Sequence, residues 1–275
     1  MKLAVCHYSY HRLWNEEKWS VDRLTDEVKA RGVDGIDYHA RLIGERETAV
    51  ARISSALKRT GLELAGFSFS TNFNLPDDAV FDAHIEDTLA WMAVAAELKA
   101  PVCRVFGGGV KRDDPAAVEA GLTRVVKALR ILAPKAEEKG LVLALENHGG
   151  LPCTGEEQVS VIETIGSPAI RATVDVGNYM QGGQEGVDGT RVAAGYAAYV
   201  HIKDNKRTGE VAANGRDFVS CTIGQGDVDI PECVKILDAA GYTGYLALEY
   251  EGQEDERTGV PASIAYMKEV VAAVL

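Results

Sequence analysis

From end to end the chain alternates short apolar runs of strand character with longer runs of helical character, and this alternation restricts it to a parallel sheet whose strands are joined by helices. The strand-like runs lie near residues 2–7, 34–38, 63–69, 101–106, 141–146, 170–175, 198–202 and 244–249. Helix-like runs lie between and after them, near 20–31, 46–60, 80–99, 114–139, 155–165, 187–196, 229–240 and 260–274. Residues 116–132 show the plainest 3.6-residue apolar spacing. Gly61, Gly140 and Gly241 fall just past periodic segments, where glycine takes a left-handed C-cap at least cost. Eight such units in 275 residues fit a single (β/α)8 TIM barrel, a closure usual at about 250 residues. No long linker, low-complexity stretch or internal repeat divides the chain, so one domain over 1–275 is expected.

The bulk properties narrow the class of function. Five cysteines, Cys6, Cys103, Cys153, Cys221 and Cys233, are scattered without CxxC spacing, which argues against a disulfide framework or a structural zinc cluster and for a reducing cytoplasm. No apolar run approaches the roughly 20 residues of a membrane span, and the start of the chain reads as a strand rather than a signal. A net charge of -12 disfavours nucleic acid as a partner and suits a neutral or small anionic substrate. Monomer and homo-oligomer both stay open.

Four of the strand-like runs in the C-terminal half end in a residue able to ligate a metal. Leu141 to Leu145 leads into Glu146, Ile170 to Val174 into Asp175, Ala197 to Val200 into His201, and Tyr245 to Leu248 into Glu249. In a closed parallel barrel these four converge at the C-terminal mouth, where such barrels keep their chemistry. Two glutamates, an aspartate and a histidine form a mostly oxygen set suited to one divalent ion, Mn²⁺ first, with Mg²⁺, Co²⁺, Zn²⁺ and Fe²⁺ also admissible. An ion so held keeps open positions for adjacent carbonyl and hydroxyl oxygens, and as a Lewis acid it stabilises an enediolate. The spare oxygens of Glu146 and Glu249 suit a general base and general acid on opposite faces of the substrate.

The motifs Leu143-Ala-Leu-Glu-Asn-His148, Val174-Asp-Val-Gly-Asn178, Val200-His-Ile-Lys-Asp204, Ile223-Gly-Gln-Gly-Asp227 and Leu246-Ala-Leu-Glu249 resemble those of the xylose-isomerase-like barrels over essentially the whole chain. That group includes sugar-phosphate isomerases, ketose 3-epimerases, inosose isomerases and dehydratases, and endonuclease IV. The resemblance implies one divalent metal on Glu146, Asp175, His201 and Glu249, with the two glutamates as the acid/base pair. It implies an isomerase or epimerase of a sugar, keto-sugar or cyclitol, with a metal-dependent inosose or keto-sugar dehydratase as the alternative and a DNA-repair hydrolase further off. Arg207, six residues after His201, stands where ketose 3-epimerases place a substrate-binding arginine. Asn178 stands where those enzymes have a histidine, and Pro152 where they have a glutamate, so substrate recognition differs. The histidines beyond His201 do not reproduce the three-metal set of the endonucleases.

The remaining candidates carry two readings each. His148 either touches substrate or hydrogen-bonds backbone at the rim, and Asn178 either orients a substrate hydroxyl or caps a turn. Arg207, beside Lys206 and near Lys203, either binds an anionic group or belongs to a solvated loop. His7 closes the first strand and points to the mouth, followed by Tyr8 and Trp14 as walls for a sugar or cyclitol ring or as ordinary rim packing. Asp204 either pairs with Lys203 or supports His201 as the hydrogen-bond partner a metal-bound imidazole requires. The long connection from Lys203 to Asp229 is expected to form a loop over the mouth.

Overall fold

The computed structural model describes residues 1–212 and 215–275. Its strands are β1 (Lys2–Cys6), β2 (Gly35–His39), β3 (Glu63–Ser68), β4 (Cys103–Phe106), β5 (Leu143–Glu146), β6 (Ile170–Asp175), β7 (Ala197–Ile202), β8 (Asn205–Arg207), β9 (Phe218–Ser220) and β10 (Tyr245–Leu248). The helices are α1 (His11–Glu16), α2 (Val21–Ala30), α3 (Ala40–Ile43), α4 (Arg46–Thr60), α5 (Asp78–Glu97), α6 (Pro115–Lys139), α7 (Gly155–Ile165), α8 (Gly186–Ala193), α9 (Ile230–Ala239) and α10 (Glu256–Val274). All eight expected strands are present. The short helices α1 and α3 and the antiparallel β8–β9 hairpin, which lies inside the long loop after His201, are the additions.

Eight strands pair in parallel in the order β3-β2-β1-β10-β7-β6-β5-β4. The two ends of that ladder are joined by backbone hydrogen bonds from Phe67 N to Val102 O (3.0 Å) and Phe69 N to Arg104 O (2.8 Å), which bring the sheet round into a barrel. Helix starts are fixed by side chains accepting from backbone N–H groups, as Asp77 does for α5, Asp114 for α6, Thr154 for α7 and Asp229 for α9. Gly61 and Gly140 end α4 and α6 at φ of +69° and +65°, as their positions in the sequence suggest.

Outward-facing strand residues such as Val5, Ile36, Phe67, Leu143, Val174 and Leu248 join the helices in one continuous apolar core. Inside the barrel the floor is made of small residues, Ala4, Ala65, Ala144 and Ala247, around one large one, Tyr199. Gly66 belongs to this arrangement, since a Cβ there would meet the Tyr199 ring at 3.0 Å. The small residues let the phenol lie across the barrel, and its hydroxyl donates upward to Asp37 Oδ2 at 3.1 Å. The packing of the floor thus positions the first polar group beneath the mouth.

Candidate metal centre

Strand register brings the four expected ligands to one face. Glu146 lies beside Thr173, two residues before Asp175; Asp175 lies beside His201; and His201 lies beside Ala247, two residues before Glu249. Side chains alternate along a strand, so these even offsets turn all four inward together. One ligand atom from each lies within 4.8 Å of all the others, and the four side chains are buried. His201 Nδ1 is 2.7 Å from Glu146 Oε1 and 3.5 Å from Glu249 Oε2. Gly177 and Asn178 donate their backbone N–H groups to Asp175 Oδ1 at 2.9 Å each, leaving Oδ2 to face the centre.

Two buried cations hold this cluster together. Arg104, on β4, has Nε 3.6 Å from Glu146 Oε2 and Nη2 4.0 Å from Glu249 Oε1. Lys203, one residue past β7, has Nζ 2.9 Å from Glu249 Oε2, 3.4 Å from Asp175 Oδ2 and 3.1 Å from Glu251 Oε1. Burial works against charge on Glu146, but Arg104 and His201 outweigh it and hold the carboxyl down at about 2. For Asp175 burial wins over the attraction of Lys203 and pushes the carboxyl up to about 7. Burial also opposes charge on His201, yet Glu249 and Glu146 keep its imidazole protonated well above the usual range.

The residues fit a divalent ion on two grounds. Glu146 Oε2, Asp175 Oδ2 and Glu249 Oε2 are buried and form no hydrogen bond of proper geometry, which native interiors rarely leave uncompensated. Among the described residues, four buried carboxylates, Asp37, Glu146, Asp175 and Glu249, also face only two permanent buried cations, Arg104 and Lys203. With His201 neutral, two negative charges stay uncompensated, the charge of one dication.

The imidazole has a further partner that sequence reading missed. His201 Nε2 lies 3.6 Å from Asp37 Oδ2, and Asp37 accepts from Ser68 Oγ (2.7 Å), Ser68 N (3.2 Å) and Tyr199 Oη (3.1 Å). A carboxylate in this position is the kind of partner that a metal-ligating histidine requires. Asp204 fills neither of the two roles open to it, pairing with Lys203 or supporting His201: its carboxylate accepts the backbone N–H groups of Gly224 (2.9 Å), Gly226 (2.8 Å) and Val228 (3.3 Å), folding the loop after β9.

The other candidate residues divide. His148 borders the mouth, its ring 4.4 Å from that of Phe106 and its Nδ1 without a partner; burial lowers its pKa and keeps it neutral. Asn178 is buried beside Asp175, its Oδ1 accepting from Gln181 Nε2 (2.8 Å) and Lys203 Nζ (3.3 Å) and its Nδ2 unpaired. His7 sits under the first loop, its ring 4.3 Å from that of Trp14 and its Nδ1 accepting from His39 N at 3.4 Å, and Tyr8 reaches the mouth in its place. Arg207 is not brought to the cluster. Its guanidinium is half-exposed on β8 and pairs with Glu185 (2.5 Å) and Asp217 (3.2 Å).

At the four-residue cluster, on the Glu249 side, opens a cavity of about 230 Å³ lined by Tyr8, His39, Ser70, Phe106, His148 and Glu249 among others. It is smaller than the roughly 300 Å³ at which drug-sized sites begin, and so suits a single small ring. A larger groove of about 800 Å³ runs along the outer wall between α6 and α7, away from the convergent charges.

Fold and site together define a (β/α)8 barrel with a buried cluster of three carboxylates and one imidazole able to hold a metal ion at its mouth. The chain belongs to the xylose isomerase-like TIM barrel family, whose description it matches over residues 25–270. It is 27% identical over 137 residues to an inosose dehydratase of Clostridium perfringens, a match covering 46% of each chain, so it spans less than half the length of the curated relatives it matches. A D-tagatose 3-epimerase-like protein superimposes with a TM-score of 0.80 at 20% identity, covering 100% of this chain and 98% of the other. The 3-keto-D-glucoside 4-epimerase of E. coli does so with 0.77 at 17%, covering 98% and 99%.

Proposed function

We propose that this protein is a metal-dependent isomerase or epimerase of a keto-sugar or cyclitol, with Glu146, Asp175, His201 and Glu249 holding one divalent ion, Mn²⁺ first among the admissible metals. The observation that carries this reading is the convergence of those four ligand atoms within 4.8 Å of one another below a cavity of single-ring size. The bound ion supplies Lewis-acid stabilisation of negative charge on the substrate oxygens. Glu146 and Glu249 are both kept ionised by the cations around them, so either can remove a proton from the carbon next to a carbonyl. Lys203, with its ammonium 2.9 Å from Glu249 Oε2, keeps its proton despite burial because of the carboxylates around it, and so holds Glu249 ionised and in place on that side. Arg104 touches both glutamates and fixes their separation. His148 and Asn178, each with an unpaired buried nitrogen beside the cluster, are placed to orient substrate hydroxyls. Asp37 holds the His201 ring. Arg207 reaches substrate only if it leaves Glu185 and Asp217.

The match to an inosose dehydratase supports a second reading, in which a hydroxyl next to the carbanion leaves as water. Incubating Mn²⁺-treated protein with a panel of keto-sugars and inososes separates the two by product mass. An unchanged mass with altered stereochemistry or carbonyl position establishes the isomerase, loss of water establishes the dehydratase, and no turnover of the panel in either sense contradicts the substrate class.

A further inference from the structure

The mouth cavity does not stand alone. A second cavity of about 390 Å³ adjoins it, lined by Arg41, Arg46, Ser70, Thr71, Asp87 and Trp91 among others, and Arg41 and Ser70 line both. In the second cavity the Arg46 guanidinium lies over the Trp91 ring, 5.0 Å from its centroid, and is ion-paired with Asp87, so that pair contributes no net charge. Arg46 Nε is nevertheless buried without a hydrogen-bond partner. Arg41 differs from it. Among the described residues no carboxylate lies within ion-pairing distance of Arg41, in a chain with 41 acidic and 29 basic side chains. Its charge is felt at both Tyr8 and His39 on the mouth wall. The cations within the mouth are already engaged, Lys203 by Asp175, Glu249 and Glu251, and Arg104 by Glu146 and Glu249. The cation of the two cavities that no carboxylate engages is therefore Arg41, an exposed residue on their shared wall.

We propose that the substrate carries an anionic substituent, a carboxylate or a phosphate, which Arg41 receives at the junction of the two cavities while the reacting oxygens face the four-residue cluster. This rests on the metal-dependent reading above. The second cavity gives the substituent room that the mouth lacks, and the arginine fork matches the paired oxygens of either anion. A neutral ring alone would leave both Arg41 and the second cavity without a role in recognition.

Three chelators that differ in one group test this. Acetohydroxamate, malonomonohydroxamate and phosphonoacetohydroxamate present the same metal-binding head and carry a hydrogen, a carboxylate or a phosphonate on the methyl carbon. Their affinities for the Mn²⁺-treated protein, and for Arg41→Ala treated alike, are measured by calorimetry. At least one anionic probe is expected to bind about tenfold or more tightly than acetohydroxamate, and Arg41→Ala is expected to erase that gain while acetohydroxamate binds as before. Which probe gains more identifies the anion. Equal affinities for all three, or a gain that survives Arg41→Ala, overturn the proposal and leave the metal reading standing. Failure of acetohydroxamate to bind in a Mn²⁺-dependent manner overturns the chelation reading and this inference with it.

Discussion

Binding of a divalent ion at this centre is expected to expel protons, because the metal-free cluster balances its charge with them. His201 lies between Glu146 and Glu249; burial lowers its affinity for a proton, but the two carboxylates raise it well above the ordinary histidine range. At pH 7 the imidazole therefore carries a full proton. Asp175, pushed up to about 7 chiefly by burial, carries part of one. Both groups must be free of protons to ligate, whereas Arg104 and Lys203 keep theirs. Uptake of one ion at pH 7 should release about one to two protons, and the apparent affinity should rise about one to two decades per pH unit there, declining to about one decade once Asp175 is ionised. The sign follows from the raised values: acid competes with the metal, so affinity is lost as pH falls. Calorimetric titration with Mn²⁺ in PIPES and in Tris, whose ionisation enthalpies differ, reads the proton count directly. Release of well under half a proton, or an affinity flat between about pH 6 and pH 8, would refute the reasoning.

Asp37→Asn keeps the shape of the side chain beneath His201 but removes its charge, and should weaken ion binding by about 10- to 100-fold with the barrel intact. An unchanged affinity in a metal titration contradicts the orienting role. Lys203→Met leaves Asp175 without its buried lysine partner and Glu249 with only the longer contact to Arg104, and should destabilise the metal-free protein by about 3 to 5 kcal/mol in urea unfolding, with partial recovery on adding Mn²⁺; stability equal to that of the parent counts against the network. His7 is held neutral mainly by burial, its value lowered from 6.5 to about 3, so the stability linked to it is present above pH 6.5 and lost as pH falls from there toward 3. The full loss is on the order of 5 kcal/mol, and His7→Gln should flatten acid unfolding over that interval.

The four candidate ligands are legible in the sequence because each terminates an apolar run, and side-chain alternation leaves little freedom over where such a residue points. Their partners are harder to read. Asp37 and Arg104 sit inside β2 and β4, in Gly35-Ile-Asp-Tyr-His39 and Cys103-Arg-Val-Phe106, where a single charge in an apolar run looks like an ordinary exposed position. A charged residue at an inward-facing strand position was the available signal, and burial of both side chains shows what it meant. Lys203 reads in the sequence as one of the loop cations with Lys206 and Arg207, yet it lies one residue beyond β7 and turns into the cluster. Arg207 shows the opposite case, since a position six residues after His201 does not determine where a guanidinium goes once the chain has entered the β8–β9 hairpin beside Glu185 and Asp217. The alanine floor beneath Tyr199 is equally hidden in a single chain, because its small side chains, on β1, β3, β5 and β10, are unremarkable one at a time.

The central claim is that Glu146, Asp175, His201 and Glu249 hold one divalent ion, and elemental analysis of the purified protein tests it most directly, alongside Glu146→Gln and His201→Ala. About one divalent ion per chain in the parent protein, taken up natively or after Mn²⁺ or Co²⁺ treatment and lost in both variants, is the result the account predicts. A parent protein that holds no ion under any of these conditions, or variants that hold as much as the parent, would contradict it.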